Sequence, residues 1–420
     1  AVPGPPGRPW NGRGSVAVRD LLQSKIPLAL PAMLSVQSFG TMCGFAGAVV
    51  VVQVSADLGV NSTYIGLYTA CLYVAAMLSG LGAGGILARF GVIRSSQIAL
   101  LATGLGLILA AVAPGWPMVL AAAAMIGLGT GMLNPAGSRI LSRHAPLRWQ
   151  PFVFSVKQTG TPMGGMLAGL LLPPLIALYD WRLALAALAA IPLVTLFGLQ
   201  LIRKGLDDDR DPGARIDLAG IIDALRLVVT SRPLLTLAIA GYFFTFAQLA
   251  LLSFIVVFLV KANGLDTAAA GGVFAIIHGA AIPARIAWGA MAGRFVSSWF
   301  LLGLIGLMMS ASIVAISYFD QTWPFWQTAI VTVALGVSTN GVLGLLLSEF
   351  ARLAPPDKVG EATGGGQFFL FFGIVSGPPL FGLVVEHGGG YTNAFHMIAA
   401  VAFVAGGYLL CTAGRNRDTL

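Results

Sequence analysis

Twelve apolar runs, each long enough to cross a bilayer as a helix, follow one another along this chain, separated by charges, Pro-Gly turns or aromatic edges. A helix needs about 20 mostly apolar residues to span the hydrocarbon core. The runs lie at 26–53, 62–84, 93–113, 118–141, 152–177, 182–202, 234–260, 268–290, 297–318, 325–348, 362–385 and 392–413. Only one connection, about 203–232, is long. The composition agrees, since 57% of the 420 residues are hydrophobic and 10% charged, against about a quarter charged in soluble proteins. The 54 glycines and 23 prolines therefore belong to membrane helices, where neighbouring helices satisfy the backbone. Cys43, Cys71 and Cys411 all fall in apolar segments, so they read as packing residues rather than a disulfide framework. The first 24 residues contain no apolar run long enough for a signal peptide.

The Lys and Arg residues orient the spans. With the N-terminus assigned to the cytoplasm, all but four of the 24 fall on cytoplasmic segments. Arg182 and Lys261 lie outside, and Lys157 and Arg285 lie within spans. The positive-inside rule then predicts both termini in the cytoplasm of a cell membrane, the bacterial inner membrane. The net charge of +8 is explained by topology and calls for no nucleic acid. The long connection opens with Arg203 and Lys204, continues through Asp207–Asp209 and Asp211, and offers an amphipathic stretch from Ile216 to Val229. It reads as a solvated linker with an interfacial helix.

The chain also repeats itself. Gly84, Arg89 and Gly91 after span 2 align with Gly289, Arg294 and Val296 after span 8, and Asn134 in span 4 aligns with Asn340 in span 10 at nearly the same offset. The expected fold is an all-α integral membrane protein whose twelve transmembrane helices form two pseudo-symmetric six-helix bundles. Its expected parts are a tail at 1–25, a bundle at 26–202, a linker at 203–232, a second bundle at 233–413 and a tail at 414–420. Transporters built from such repeats hold their substrate at the repeat interface.

These residues resemble the signature of the major facilitator superfamily: a Gly, three residues, Asp-Arg, any residue, Gly, then basic residues. Gly84, Arg89, Gly91 and Arg94 fit it, but the Asp is Ala88 here and Gly293 in the second copy. In the family that Asp belongs to a charge latch steadying the outward-open state, so the latch is expected to be weakened or replaced. Gly160, Pro162, Gly164 and Gly165 in span 5 resemble the family's antiporter signature, with Thr161 where a Gly is expected; close packing and bending account for them without assigning a transport direction. Span 4 has Ala123 where many proton-coupled members carry an Arg, which counts against a standard drug-efflux antiporter.

An ionisable residue at membrane depth is costly and usually faces a cavity or a partner. None of the 16 acidic residues sits deep in a span, Glu349 and Glu386 lying at span ends, whereas Lys157, His278 and Arg285 do. Arg285 stands nine residues before Arg294, about 13 Å along the helix, and Lys157 is six residues into span 5. His278 precedes Arg285 by seven residues, about 10.5 Å away on the same face. The resemblance implies that spans 5 and 8 face each other, so the two cations can flank one anion. Each also has a purely structural reading: carbonyls or Glu349 for Arg285, snorkelling for Lys157, a hydrogen-bonded core for His278. An Arg in span 8 followed by Gly289 resembles the monocarboxylate and oxalate–formate transporters, which bind carboxylates there. The acid that monocarboxylate carriers place one turn earlier is Ala281, leaving proton coupling to His278, a span-end acid such as Glu386, or the substrate. Gln37, Tyr73, Gln158, Tyr242, Gln248, Asn340 and Gln367 are candidates to complete the pocket, with Tyr242, Thr245 and Gln248 spaced to form one stripe on span 7.

The expected function is secondary active transport of a small organic anion, a carboxylate, by alternating access with proton coupling, in a lipid-embedded monomer. Efflux of drug-like or amphipathic solutes is the second reading and a non-transporting sensor the third. An enzyme is not expected: His144, His278, His387 and His396 are not paired at metal-ligand spacing, and no phosphate loop, nucleophile elbow or haem motif appears. No cofactor or metal is therefore expected.

Overall fold

The computed structural model describes residues 25–146, 149–208, 210–211, 213, 219–292, 295–355 and 358–413. The expected tails, apart from Lys25, and Arg294 lie outside the described residues. Among the described residues the chain is helical with no strand, and twelve helical stretches are long and apolar enough to span a membrane. In chain order the helices are α1 (Ile26–Asp57), α2 (Ile65–Phe90), α3 (Val92–Ala111), α4 (Trp116–His144), α5 (Gln150–Gln158), α6 (Gly160–Leu178), α7 (Trp181–Leu206), α8 (Ala219–Thr230), α9 (Arg232–Val257), α10 (Thr267–Met291), α11 (Ser298–Ser317), α12 (Phe325–Thr339), α13 (Val342–Leu353), α14 (Val359–His387) and α15 (Tyr391–Ala413). Span 5 is α5 plus α6 and span 10 is α12 plus α13, each broken within the membrane, while α8 lies in the linker.

Local chemistry sets the boundaries. Proline occupies the first turn of α1, α4, α5 and α9, where its missing N–H goes unneeded. The side chains of Asp180, Asp266 and Ser297 accept backbone N–H groups at the starts of α7, α10 and α11. Several helices run about a turn beyond their apolar core. The second span continues to Phe90 before Gly91, at φ 88°, turns the chain into α3, a left-handed conformation that favours glycine.

Both halves pack by the same device. Gly131 on α4 presses against the Ala76 carbonyl of α2, and Gly336 on α12 presses against the Ile277 carbonyl of α10; the two glycines, though not the two carbonyls, are related by the spacing that relates Gly84 to Gly289. Likewise Gly164 of α6 lies on Ser38 of α1, and Gly373 of α14 lies on Tyr242 of α9. A side chain at any of these positions would force helices apart, as expected for membrane helices that associate by close backbone approach.

The two halves meet most tightly at the end away from the termini. A Cβ on Gly66 of α2 would lie 2.6 Å from the Pro378 oxygen of α14, and one on Gly169 of α6 would lie 2.6 Å from the Gly271 oxygen of α10. Hydrogen bonds join Gln53 to Thr267 at 2.7 Å, Thr69 to Ser253 at 3.0 Å, and Thr63 to Glu386 across this seam. Toward the terminal end, a Cβ on Gly84 of α2 or on Gly360 and Gly364 of α14 would meet open space. The bundle is thus sealed at one end, while at the other Gly84 of α2 and Gly360 and Gly364 of α14 are exposed.

The linker fastens to the first half in place of the missing signature acid. The Asp207 carboxylate accepts the N–H groups of Ile93 (2.7 Å) and Arg94 (3.0 Å) at the start of α3, and the Asp211 N–H donates to the Ala88 oxygen at 2.8 Å. Asp208 pairs with Lys25 (3.2 Å) and Arg143 (2.9 Å). The hydrogen bond from Lys25, with the nearby Arg143 charge, holds the Asp208 carboxyl below its usual range. Downstream, α8 covers α14, where Gly365 abuts the Ala224 carbonyl.

Candidate substrate site

Pro162 cannot donate to Gln158, four residues earlier, because it has no N–H. The chain breaks at Thr159 between α5 and α6, and the next N–H, of Met163, goes to the Thr159 oxygen at 3.0 Å. The freed Gln158 oxygen accepts Nη1 of Arg285 at 2.7 Å. A second break, between α12 and α13, leaves the Asn340 oxygen to accept Nε of Arg285 at 2.9 Å. One guanidinium from the second half therefore bridges two helix breaks, one in each half. Glu349 is not its partner; that carboxylate is buried against Arg352 (2.8 Å) and Trp299 (3.2 Å).

Lys157, the residue before Gln158, is 0% exposed, so it does not snorkel. Its ammonium donates to the Asn134 oxygen at 3.3 Å and to the Asn134 side-chain oxygen, and its stem lies on Gly137. Asn340, the repeat partner of Asn134, receives Gln248 Nε2 on its side-chain oxygen at 3.1 Å. Among the described residues neither Lys157 nor Arg285 makes an ion pair with a carboxylate. Two cations at membrane depth, neutralised only by amide oxygens, leave a net positive site.

His278 occupies the sealed side of this site. Its Nδ1 lies 3.0 Å from the Phe274 oxygen, its ring packs against Phe45 and Phe274 with centroids 4.7 and 4.4 Å away, and Gly165 of α6 leaves room for it. Its Nε2 is buried with no hydrogen-bond partner among the described residues. Gln37 of α1 donates to Thr161 at 3.3 Å, while its side-chain oxygen is buried and unpaired.

The remaining candidates divide. Tyr73 of α2 faces Phe371 of α14 across the seam, with ring centroids 6.4 Å apart, and Gln367 is half-buried on α14. The stripe expected on span 7 splits. The Tyr242 hydroxyl pairs with Ser376 at 3.1 Å and Thr245 donates to the Leu370 oxygen at 2.8 Å, both on α14, whereas Gln248 reaches Asn340. Glu386 lies at the sealed end, bonded to Thr63. Gly160 packs on Gln37, so the Gly160–Gly165 segment forms the wall of the site. Sequence reasoning used Asn134 only as a repeat marker; a polar residue beside Pro135 in the half that carries the embedded Lys157 was the available signal.

The family model described as Major Facilitator Superfamily matches residues 33–351. The hexuronate transporter of Bacillus subtilis is 19% identical over 377 residues, covering 83% of this chain and 85% of that protein. The fosmidomycin resistance protein of Escherichia coli is 25% identical over 304 residues, 67% of this chain and 68% of that one. Among solved structures, a bacterial homologue of the human lysosomal transporter Spinster, in an inward-facing and occupied conformation, matches with a TM-score of 0.72. It is 15% identical, over 93% of this chain and 97% of that one.

Proposed function

Because the chain belongs to the major facilitator superfamily, and so is a multi-pass membrane transporter, we propose that its cargo is a small organic anion, a carboxylate, moved by alternating access. The observation that carries this reading is the pair Lys157, buried, and Arg285, half-buried, held by amide oxygens with no carboxylate among the described residues to neutralise them. Breaking one partner of a buried charge pair is strongly unfavourable; here the missing partner is the cargo. Arg285 presents a planar fork that suits a carboxylate, and Lys157 adds a second positive charge one residue from the Gln158 carbonyl. Gln37, Gln158, Gln248 and Asn340 supply polar contacts around them, and Tyr73, Tyr242 and Gln367 border the site. The name of the similar hexuronate transporter, a carrier of carboxylated sugars, supports the same class.

With both termini in the cytoplasm, as the Lys and Arg distribution favours, the sealed end is external and the described state faces inward. The moving units are residues 26–202 and 233–413. Coupling to protons falls to His278, whose Nε2 is free to take one when the external seam opens, and to Glu386 at that seam. Arg285 stands two turns along α10 from His278.

Truncating a charged, buried hydrogen-bonding partner costs about 2–5 kcal/mol, so Arg285→Ala is expected to weaken carboxylate binding more than about thirtyfold. Uptake of labelled hexuronates and other carboxylates into proteoliposomes measures this; undiminished transport by Arg285→Ala refutes the anion site. Efflux is the second reading, favoured by the Gly160–Pro162–Gly165 segment at the seam and by the name of the fosmidomycin resistance protein. Counterflow from loaded vesicles under an imposed pH gradient gives the direction.

A further inference from the structure

Pro162 has a consequence that its packing does not require. A backbone carbonyl inside a transmembrane helix is ordinarily consumed by the N–H four residues on. Here that donor is absent, the N–H of Met163 is committed to Thr159, and the Gln158 oxygen is held by Arg285 Nη1 at 2.7 Å. The donor and the acceptor come from opposite halves, and the same guanidinium holds the Asn340 oxygen of its own half through Nε.

We infer that Pro162 is a positioning residue that keeps the Gln158 carbonyl available as a resident substitute for the cargo's carboxylate oxygen, taking up Arg285 Nη1 whenever the site is empty. This rests on the reading of Arg285 as the anion ligand. An empty carrier must reorient with its guanidinium satisfied, because an unsatisfied buried donor is penalised at membrane depth. A carbonyl serves, since it accepts a hydrogen bond without a formal charge and an arriving anion outcompetes it. When the anion leaves, the carbonyl recaptures the guanidinium, so the same atom that yields to the cargo helps to release it. Lys157 has its own fixed acceptor in Asn134, which leaves Arg285 as the cation whose partner is exchanged.

The test needs no knowledge of the cargo. Pro162→Ala and Pro162→Gly each restore an N–H that claims the Gln158 oxygen and draws it into the helix. In purified, substrate-free protein both variants should expose Arg285, raising its modification rate by phenylglyoxal, followed by mass spectrometry of the peptide, about ten- to a hundredfold, as the loss of one charge-assisted hydrogen bond suggests. Pro192→Ala in α7 restores an N–H in a helix interior away from the site and should leave the Arg285 rate unchanged. Equal rates in the wild type and both Pro162 variants overturn the inference, as does an equal rise in Pro192→Ala. Protection of wild-type Arg285 by glucuronate or other carboxylates tests the underlying reading separately. Absence of protection removes the anion site while leaving the carbonyl bond to be judged by the variants.

Discussion

Gly165→Ala tests whether closure of the seam depends on the slot that receives His278. A Cβ at position 165 would overlap Cδ2 and Nε2 of the imidazole and lie 2.5 Å from its Cγ, where carbon atoms prefer about 3.5–4.0 Å. The ring cannot swing away, because Nδ1 is tied to the Phe274 oxygen and the ring lies against Phe45 and Phe274. Relief must come from separating α6 and α10, which belong to different halves. Overpacking of this kind costs about 1–3 kcal/mol, which moves a two-state equilibrium roughly 5- to 150-fold. The cost falls on the sealed state alone, so the variant should populate the state open at the end away from the termini. Ser253→Cys, placed in a background with the three native cysteines replaced, reports this, since Ser253 is 3% exposed and faces Thr69 across the seam. Its modification by an impermeant thiol reagent should accelerate in Gly165→Ala. Gly169→Ala should do at least as much, because its obstacle is the Gly271 backbone, which has no rotamer to change. Gly198→Ala, with nothing within 4 Å, should have no effect. If Ser253→Cys is modified at the same rate with and without Gly165→Ala, the idea that His278 must seat against a bare backbone for the seam to close is wrong.

The linker gives two further predictions. Asp207→Ala removes the acceptor for two N–H groups at the start of α3 and should cost about 1 kcal/mol, read as a lower thermal midpoint in detergent. Gly91→Ala, strained at φ 88° and 2.5 Å from the Asp207 carboxyl carbon, should cost about 1–3 kcal/mol, and the double variant should lose less than the sum because the collision disappears. Asp208, whose carboxyl Lys25 and Arg143 hold below its usual range, contributes stability that is present at neutral pH and lost as the pH falls through that depressed value. Wild type and Asp208→Asn should therefore differ slightly at pH 7 in low salt and converge in acid. A difference that grows on acidification would contradict the assigned pairing.

The spans were legible because hydrocarbon leaves so few options: an apolar run of sufficient length becomes a helix, and the ends shifted by one to two turns, as where Gly91 decided the stop of α2. The two embedded cations were legible for the same reason, as charges where none is expected. Their partners were not. That Lys157 would meet Asn134 rather than the interface depends on Gly137 leaving room for its stem. That Arg285 would choose main-chain oxygens over Glu349 depends on two helix breaks arriving at one place from different halves. Pro162 carried a hint, since its effect on the residue four before it follows from covalent structure alone, but which donor would use the freed oxygen is a tertiary fact. The acidic run at 207–211 stood out by composition and read as solvated. The role of Asp207 as the cap of α3 became visible only with the turn at Gly91 in three dimensions.

As the proposed anion ligands, Lys157 and Arg285 would also make the carrier sensitive to voltage. The close backbone contacts of the seam, at Gly66, Gly169, Gly271 and Pro378, carry no charge, and its acid, Glu386, stands at a span end, so closing it moves little charge through the electric field of the membrane. The two uncompensated cations are different: each elementary charge displaced across the whole potential is worth about 2.3 kcal/mol per 100 mV, and a partial displacement a proportional share. An anion seated between them cancels part of that charge. The membrane potential then acts most strongly on the return of the empty protein and less on the loaded one, so the rate-limiting half of the cycle can change with energisation of the membrane while every contact in the site stays the same.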